Sequence, residues 1–224
     1  KIIIKIENLS EKLLWDNFIE PLQECDEKLS RAWSQVNHLN AVVNNQDLRD
    51  EYNKNFQKIT NYYSEVSQNE IIYKKFKDLK NSSLYQAFNG AKKKVIDDEL
   101  LGFELGGVDL PANKKKEFKK MKEELSSLTS KFEENLLDAT NNFQLHITDP
   151  KKIRGLPEDI VAMVRSNAEQ KKLDGWLFTL DFPCYIPTLQ YADDRELRKL
   201  LYHAYATKAS ELAEPLLDNT QNIN

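Results

Sequence analysis

The chain has 224 residues, 40% hydrophobic and 30% charged, with a formal net charge of −4 and a pI near 5.6. That is enough chain for one large domain or two small ones with a real core, and the balance excludes a basic nucleic-acid footprint. Two cysteines are too few for a disulfide scaffold, and no apolar run reaches the roughly 20 residues of a membrane span, so neither nucleic acid nor membrane is expected as a partner.

Only 6 Gly and 7 Pro occur, so long helices are expected. Ile2-Ile3-Ile4 is too short for a signal-peptide core. Ser10 is read as an N-cap before Leu13, Leu14, Phe18 and Ile19, and Pro21 kinks that helix or restarts it. Leu22, Leu29, Trp33, Val36 and Leu39 carry the stripe on. A second helix is predicted on Leu48, Tyr52, Phe56, Ile59 and Tyr63, and a third on Ile72, Phe76 and Leu79. Ser82 or Ser83 caps a fourth, running through Leu84, Phe88, Ala91, Val95 and Leu100. Gly106-Gly107 ends it, since glycine reaches positive φ freely. Asp109 is expected to cap the next helix and Pro111 to suit its first turn. That helix is long, with Phe118, Met121, Leu125, Leu128, Phe132 and Leu136 spaced by three or four, and its stripe is expected to be buried as the spine of the fold.

Past Phe143 the period shortens to two. Phe143–Ile147 and Trp176–Leu180 are predicted as strands of one small sheet, with a helix opened by Pro157 between them and Gly175 as the break. Pro183 and Pro187 punctuate the exit, and Asp193 or Asp194 caps a final helix carrying Leu197, Leu201, Tyr205 and Ala209. The fold class is therefore mostly α, a multi-helix lobe with a long central helix and a small two-stranded β element.

Chemistry-bearing motifs are scarce. A mononuclear zinc hydrolase places two histidines one helical turn apart with a glutamate beside the first. His38, His146 and His203 have neither the glutamate nor the second histidine, so they read as surface or packing residues. No nucleophile elbow, phosphate-cradling glycine loop or Cys-x-x-Cys is present. Cys25 and Cys184 read as free thiols in a reducing cytoplasm. Lysine runs at 92–94 and 114–116 and acidic pairs such as Glu133-Glu134 read as solvated helix faces. Tyr62, Tyr63, Tyr185, Tyr191, Tyr202 and Tyr205 could line a peptide groove, because tyrosine offers apolar area with a hydroxyl; core packing is the competing role. Tyr202 and Tyr205, in the segment Tyr202-His203-Ala204-Tyr205, are the substrate-channel candidates.

A collinear series of phrases from Trp15 to Leu212 carries a resemblance. It includes Trp15-Asp16-Asn17, Asn37-His38-Leu39-Asn40-Ala41-Val42, Leu48-Arg49-Asp50-Glu51-Tyr52 and Gln68-Asn69-Glu70. Phe103 through Pro111, Asn135 through Thr140, Ile147-Thr148-Asp149 and Gly155-Leu156-Pro157 follow. Gly175-Trp176-Leu177, Thr179-Leu180-Asp181, and Tyr202 through Tyr205 with Thr207 through Ser210 complete it. In order and spacing these resemble the N-terminal region of the thimet oligopeptidase family of zinc metallopeptidases. The resemblance implies a longer, largely helical, cytoplasmic parent with two lobes around a deep channel that admits short peptides. In that family one zinc is held by His-Glu-x-x-His and a downstream glutamate on the C-terminal catalytic lobe, beyond this sequence. No catalytic or metal-binding residue therefore carries over, and residues 1–224 are expected to be the N-terminal helical lobe, inactive alone and binding no zinc. Lys1 and Asn224 are read as fragment boundaries. The alternative left open is a free-standing helical binding or scaffold module without catalysis.

Overall fold

The computed structural model describes residues 1–43, 45–213 and 215–223, with the backbone alone at 221; Asn224, read as a boundary above, lies outside them. The chain divides into two compact units, Lys1–Ser127 and Leu128–Asn224, each with its own apolar core.

The first unit opens with a short helix α1 (Ile2–Glu7), whose Ile6 is buried. Ser10 caps nothing. The cap is built instead by Asn17: its Oδ1 accepts from the Leu14 N–H at 2.8 Å, and its amide donates to the Lys12 carbonyl at 3.0 Å. A π-helical turn, Trp15–Ile19, follows and runs directly into α2 (Glu20–Val42), where Pro21 sits in the first turn. Proline is tolerated there because the first-turn N–H groups have no intrahelical partner, so the helix restarts rather than kinks.

Helix α3 (Gln46–Ser67) is capped by Asn45, whose side chain accepts from the Leu48 N–H at 2.9 Å. It meets α2 through a stack of Trp33, Tyr52 and Phe56, with centroids 5.1 to 6.2 Å apart, and the Tyr52 hydroxyl donates to Asn37 at 2.7 Å. Helix α4 (Glu70–Lys80) is capped by Asn69, and its Ile72, Phe76 and Leu79 are buried at spacings of four and three, as the sequence predicts.

The predicted fourth helix is two. Ser82 caps α5 (Ser83–Ala87); Phe88 then turns extended, and Asn89 caps α6 (Gly90–Leu105) by accepting from the Lys92 N–H at 2.9 Å. The asparagine side chain offers the backbone a new start, and that local bond breaks the apolar period. At the other end Gly107 takes φ +81°, and the Val108 N–H returns to the Phe103 carbonyl at 3.1 Å, closing the helix as expected.

Helix α7 (Ala112–Asn142) runs 31 residues across the boundary between the units. Asp109 does not cap it. The Lys115 N–H bonds the Pro111 carbonyl at 2.9 Å, and the Asp109 carboxylate instead accepts from the Tyr73 hydroxyl at 3.2 Å. The expected burial of its stripe also fails. Met121 and Leu125 are 54% and 58% exposed, Phe118, Leu128, Phe132 and Leu136 are half-buried, and Asn135 is the one buried side chain of the helix. Helical period fixes which residues share a face, not whether another element covers that face.

In the second unit β1 (Leu145–Ile147) pairs antiparallel with β2 (Trp176–Phe178), Leu145 opposite Phe178 and Ile147 opposite Trp176. Both strands are shorter than predicted, but their pairing around α8 (Glu158–Gln170) stands. Gly175 reaches φ +93°, and a Cβ there would run into the Ile147 carbonyl, so only glycine lets β2 start this close to β1.

Pro183 and Pro187 do not mark an exit; both lie within α9 (Phe182–Tyr191). Pro183 occupies the first turn, and the Thr188 hydroxyl donates to the Cys184 carbonyl at 2.7 Å beside Pro187. Asp194, of the two candidates, caps α10 (Arg195–Thr207), accepting from the Leu197 N–H at 2.8 Å. Ala209 falls beyond that helix at φ +54°. A 3-10 turn (Pro215–Leu217) and α11 (Thr220–Ile223) close the described chain.

Candidate functional site

A cleft of about 690 Å³ lies wholly within the first unit. Three helices wall it. From α2 come Leu22, Cys25 and Asp26; from α3, Tyr62, Tyr63 and Val66; from α6, Glu99, Gly102 and Phe103. The spacings are helical: residues three or four apart share a face, so each helix turns one edge of its stripe inward. Buried Ile72, Phe76 and Phe103 form the floor, and polar groups stand at the rim.

The rim has a definite electrostatic character. Tyr62 and Tyr63 meet edge to face, centroids 5.4 Å apart. Partial burial and a hydrogen bond to the Asp26 carboxylate push the Tyr63 hydroxyl up to about 12, and partial burial followed by the neighbouring Cys25 thiol pushes Tyr62 up. Glu99 is raised above its usual range by partial desolvation, then by the like charges of Asp26 and Asp98. Asp98 has its own partner in Lys94, and Arg31 at the rim pairs with Glu27. Among the described residues no cation pairs with Asp26 or Glu99. A tyrosine held protonated at neutral pH supplies no base to Cys25.

Of the sequence candidates, Tyr62 and Tyr63 are brought together here. The others belong to the second unit. Tyr185 is buried and stacks on Tyr205 with centroids 4.1 Å apart and planes 9° from parallel. The Lys208 ammonium lies 3.9 Å from the Tyr205 centroid and donates to Thr140 at 3.2 Å; burial lowers its pKa. Tyr205 is thus half-buried in ring and cation contacts, whereas Tyr202 is 62% exposed and Tyr191 53%. A second cleft, about 470 Å³, takes His203, Ala204, Thr207 and Lys208 from this region.

Cys25 and Cys184 are both free, Cys184 being fully buried. Among the described residues no three His, Cys, Asp or Glu side chains converge so that they could hold a metal ion. No described helix is long and apolar enough to cross a membrane.

The sequence reading leaves Asp26 unmarked and takes Glu99, in Asp97-Asp98-Glu99, for a solvated helix face. A signal was present: Asp26 stands four residues after Leu22, and Glu99 lies three after Ile96 and four before Phe103. Each is a charged residue at an apolar-period position, which marks the border of a buried stripe.

A family model described as the neurolysin/thimet oligopeptidase N-terminal domain matches residues 2–115. Oligopeptidase A of Escherichia coli strain K12 is 39% identical over 197 residues, 88% of this chain and 29% of that protein. Oligopeptidase A of Haemophilus influenzae is 38% identical over 217 residues, covering 94% of this chain and 32% of the relative. The probable cytosolic oligopeptidase A of Arabidopsis thaliana is 34% identical over 217 residues, 94% of this chain and 30% of its own length. The chain therefore spans only 29 to 32% of these curated relatives. With the helical architecture and the matched residues together, the chain belongs to the neurolysin/thimet oligopeptidase family and carries its N-terminal domain.

Proposed function

We propose that residues 1–224 form the non-catalytic N-terminal lobe of a cytoplasmic, zinc-dependent oligopeptidase that hydrolyses short peptides in a channel between this lobe and a catalytic lobe of the same polypeptide. The observation that carries this reading is the coverage: a strong match to the first part of oligopeptidase A relatives, over less than a third of their length. The described residues do not fit a zinc site, since no three metal-binding side chains converge. The ligands then belong to the catalytic lobe, and no bond-breaking step is assigned to this chain.

The lobe's contribution is steric and positional. A channel wall excludes folded proteins and holds a peptide extended, and orientation of a reacting bond is worth several kcal/mol of barrier. Tyr202, exposed on α10, and Tyr205 beside it are proposed to face that channel. The test is to sequence the gene downstream of residue 224 and to assay the whole product beside this chain alone. A His-Glu-x-x-His motif in frame, with chelator-sensitive turnover of a quenched fluorescent peptide by the whole protein only, is the expected outcome. A stop codon soon after residue 224, or metal-dependent turnover by the purified chain alone, overturns the proposal.

A further inference from the structure

We propose that the cleft among α2, α3 and α6 is a binding site for a peptide segment that carries an arginine flanked by apolar side chains. Three independent features of the site point to this occupant. The floor of Ile72, Phe76 and Phe103 is apolar, which suits the flanking side chains and the methylene stem of the basic residue. The rim holds two carboxylates, Asp26 and Glu99, that no cation pairs among the described residues. The Asp26 charge adds to the cost of ionising Glu99, and a guanidinium placed beside both offsets that repulsion. Tyr62 and Tyr63 line the cleft beside the carboxylates, and a planar guanidinium stacks on aromatic rings better than an ammonium does. The volume, about 690 Å³, falls within the roughly 300–1,000 Å³ of ordinary ligand pockets, room for a few residues and not for a folded partner.

One wall is open by construction. Gly102 lines the cleft, and a Cβ there would meet nothing within 4 Å. A side chain at 102 therefore starts in open space at the cleft wall. Helix α6 would also lose a glycine from its interior, which favours the fold. This inference does not rest on the peptidase reading, because binding is read on the 224-residue chain with no hydrolysis.

The experiment titrates the chain, by calorimetry, with acetyl-Leu-Arg-Phe-amide and with its twin in which neutral citrulline replaces arginine. The arginine peptide is expected to bind about tenfold tighter at low salt, the advantage shrinking as salt screens the rim. Substituting Asp26→Asn together with Glu99→Gln should abolish the difference while the neutral twin binds as before. Gly102→Leu should weaken both peptides by about tenfold or more with the helical circular dichroism unchanged. The arginine peptide should also slow alkylation of Cys25, which lines the cleft, and leave buried Cys184 inert. Equal binding of the two peptides shows an apolar groove with no charge selection and overturns the proposal. So does undiminished binding by the Gly102→Leu variant, or a Cys25 that reacts at the same rate with and without peptide. The comparison of the two peptides on the unaltered chain decides the matter even where a variant fails to fold.

Discussion

Replacing Phe76 with alanine tests how the first unit is held together. Phe76 is 2% exposed, with ring centroids of Phe18 at 4.7 Å and Phe103 at 5.7 Å. Truncation removes a buried ring and leaves a cavity beside Phe18 and Phe103. The transfer and cavity contributions together put the loss at about 3–5 kcal/mol. The same change at Phe132 on α7 removes a half-buried ring and should cost about half as much. The three tryptophans make the assay local. Trp15 and Trp33 report on the first unit and Trp176 on the second. Urea unfolding followed by fluorescence, in variants that keep one tryptophan at a time, should show Phe76→Ala moving the Trp15 transition and leaving the Trp176 transition in place. Phe132→Ala should act chiefly on Trp176. A loss under about 1 kcal/mol for Phe76→Ala, or an equal loss at Phe132, would refute the packing argument.

Gly175→Ala should destabilise the second unit by more than about 1 kcal/mol, from the positive φ and the Ile147 carbonyl together, read as an earlier Trp176 transition; a neutral result would mean the β1–β2 approach is looser than described. Tyr202→Ala should leave stability within about 0.5 kcal/mol, whereas Tyr205→Ala should lose about 1–3 kcal/mol with its Tyr185 stack. In the proposed full-length peptidase, Tyr202→Ala should lower kcat/KM at unchanged metal content, and unchanged kinetics on several peptides would remove Tyr202 from the proposed channel. Asp97 is held below the usual carboxylate range by its hydrogen bond from Lys80, at 2.7 Å, and by Tyr85. A depressed carboxylate adds stability above its unfolded pKa and loses it as pH falls through the folded one. Asp97→Asn should therefore flatten the acid limb of the stability profile below about pH 4, by a small amount since both side chains are partly exposed and solvent screens the pair; an unaltered limb would show that the pair contributes nothing.

What could be read in advance divides by the range of the forces involved. Helix positions, the Gly107 stop, the Gly175 break and the Asp194 cap are local decisions of φ and nearby hydrogen bonds, and the sequence carried them. Asn17, Asn45, Asn69 and Asn89 are equally local caps, but asparagine serves turns as readily as helix starts, so its presence alone does not mark one. Helix α9 was hidden by two prolines that its first turn and a side-chain bond accommodate. The exposed stripe of α7 is another matter. Whether Met121 and Leu125 are covered depends on elements far away in the chain, which no period encodes. The cleft is of the same kind: Asp26, Tyr63 and Glu99 lie on three helices, and only the tertiary fold makes them neighbours.

The one buried side chain of α7 bears on how the end of this chain finds its place. The Asn135 amide donates to Asn219 at 3.0 Å, and the Asn219 amide donates to the Phe132 carbonyl at 3.1 Å. Asn219 also donates its backbone N–H to Ala209 at 3.0 Å and accepts from the Asn222 side chain at 2.8 Å. Apolar surfaces tolerate sliding by a turn, since one methyl replaces another. A chain of directional amide bonds does not, because a slip leaves buried donors and acceptors empty at about 1–3 kcal/mol each. Asn219 thus acts as a registration pin. Lengthening or shortening the chain between Ala209 and Asn219 would be costly where it pulls that pin.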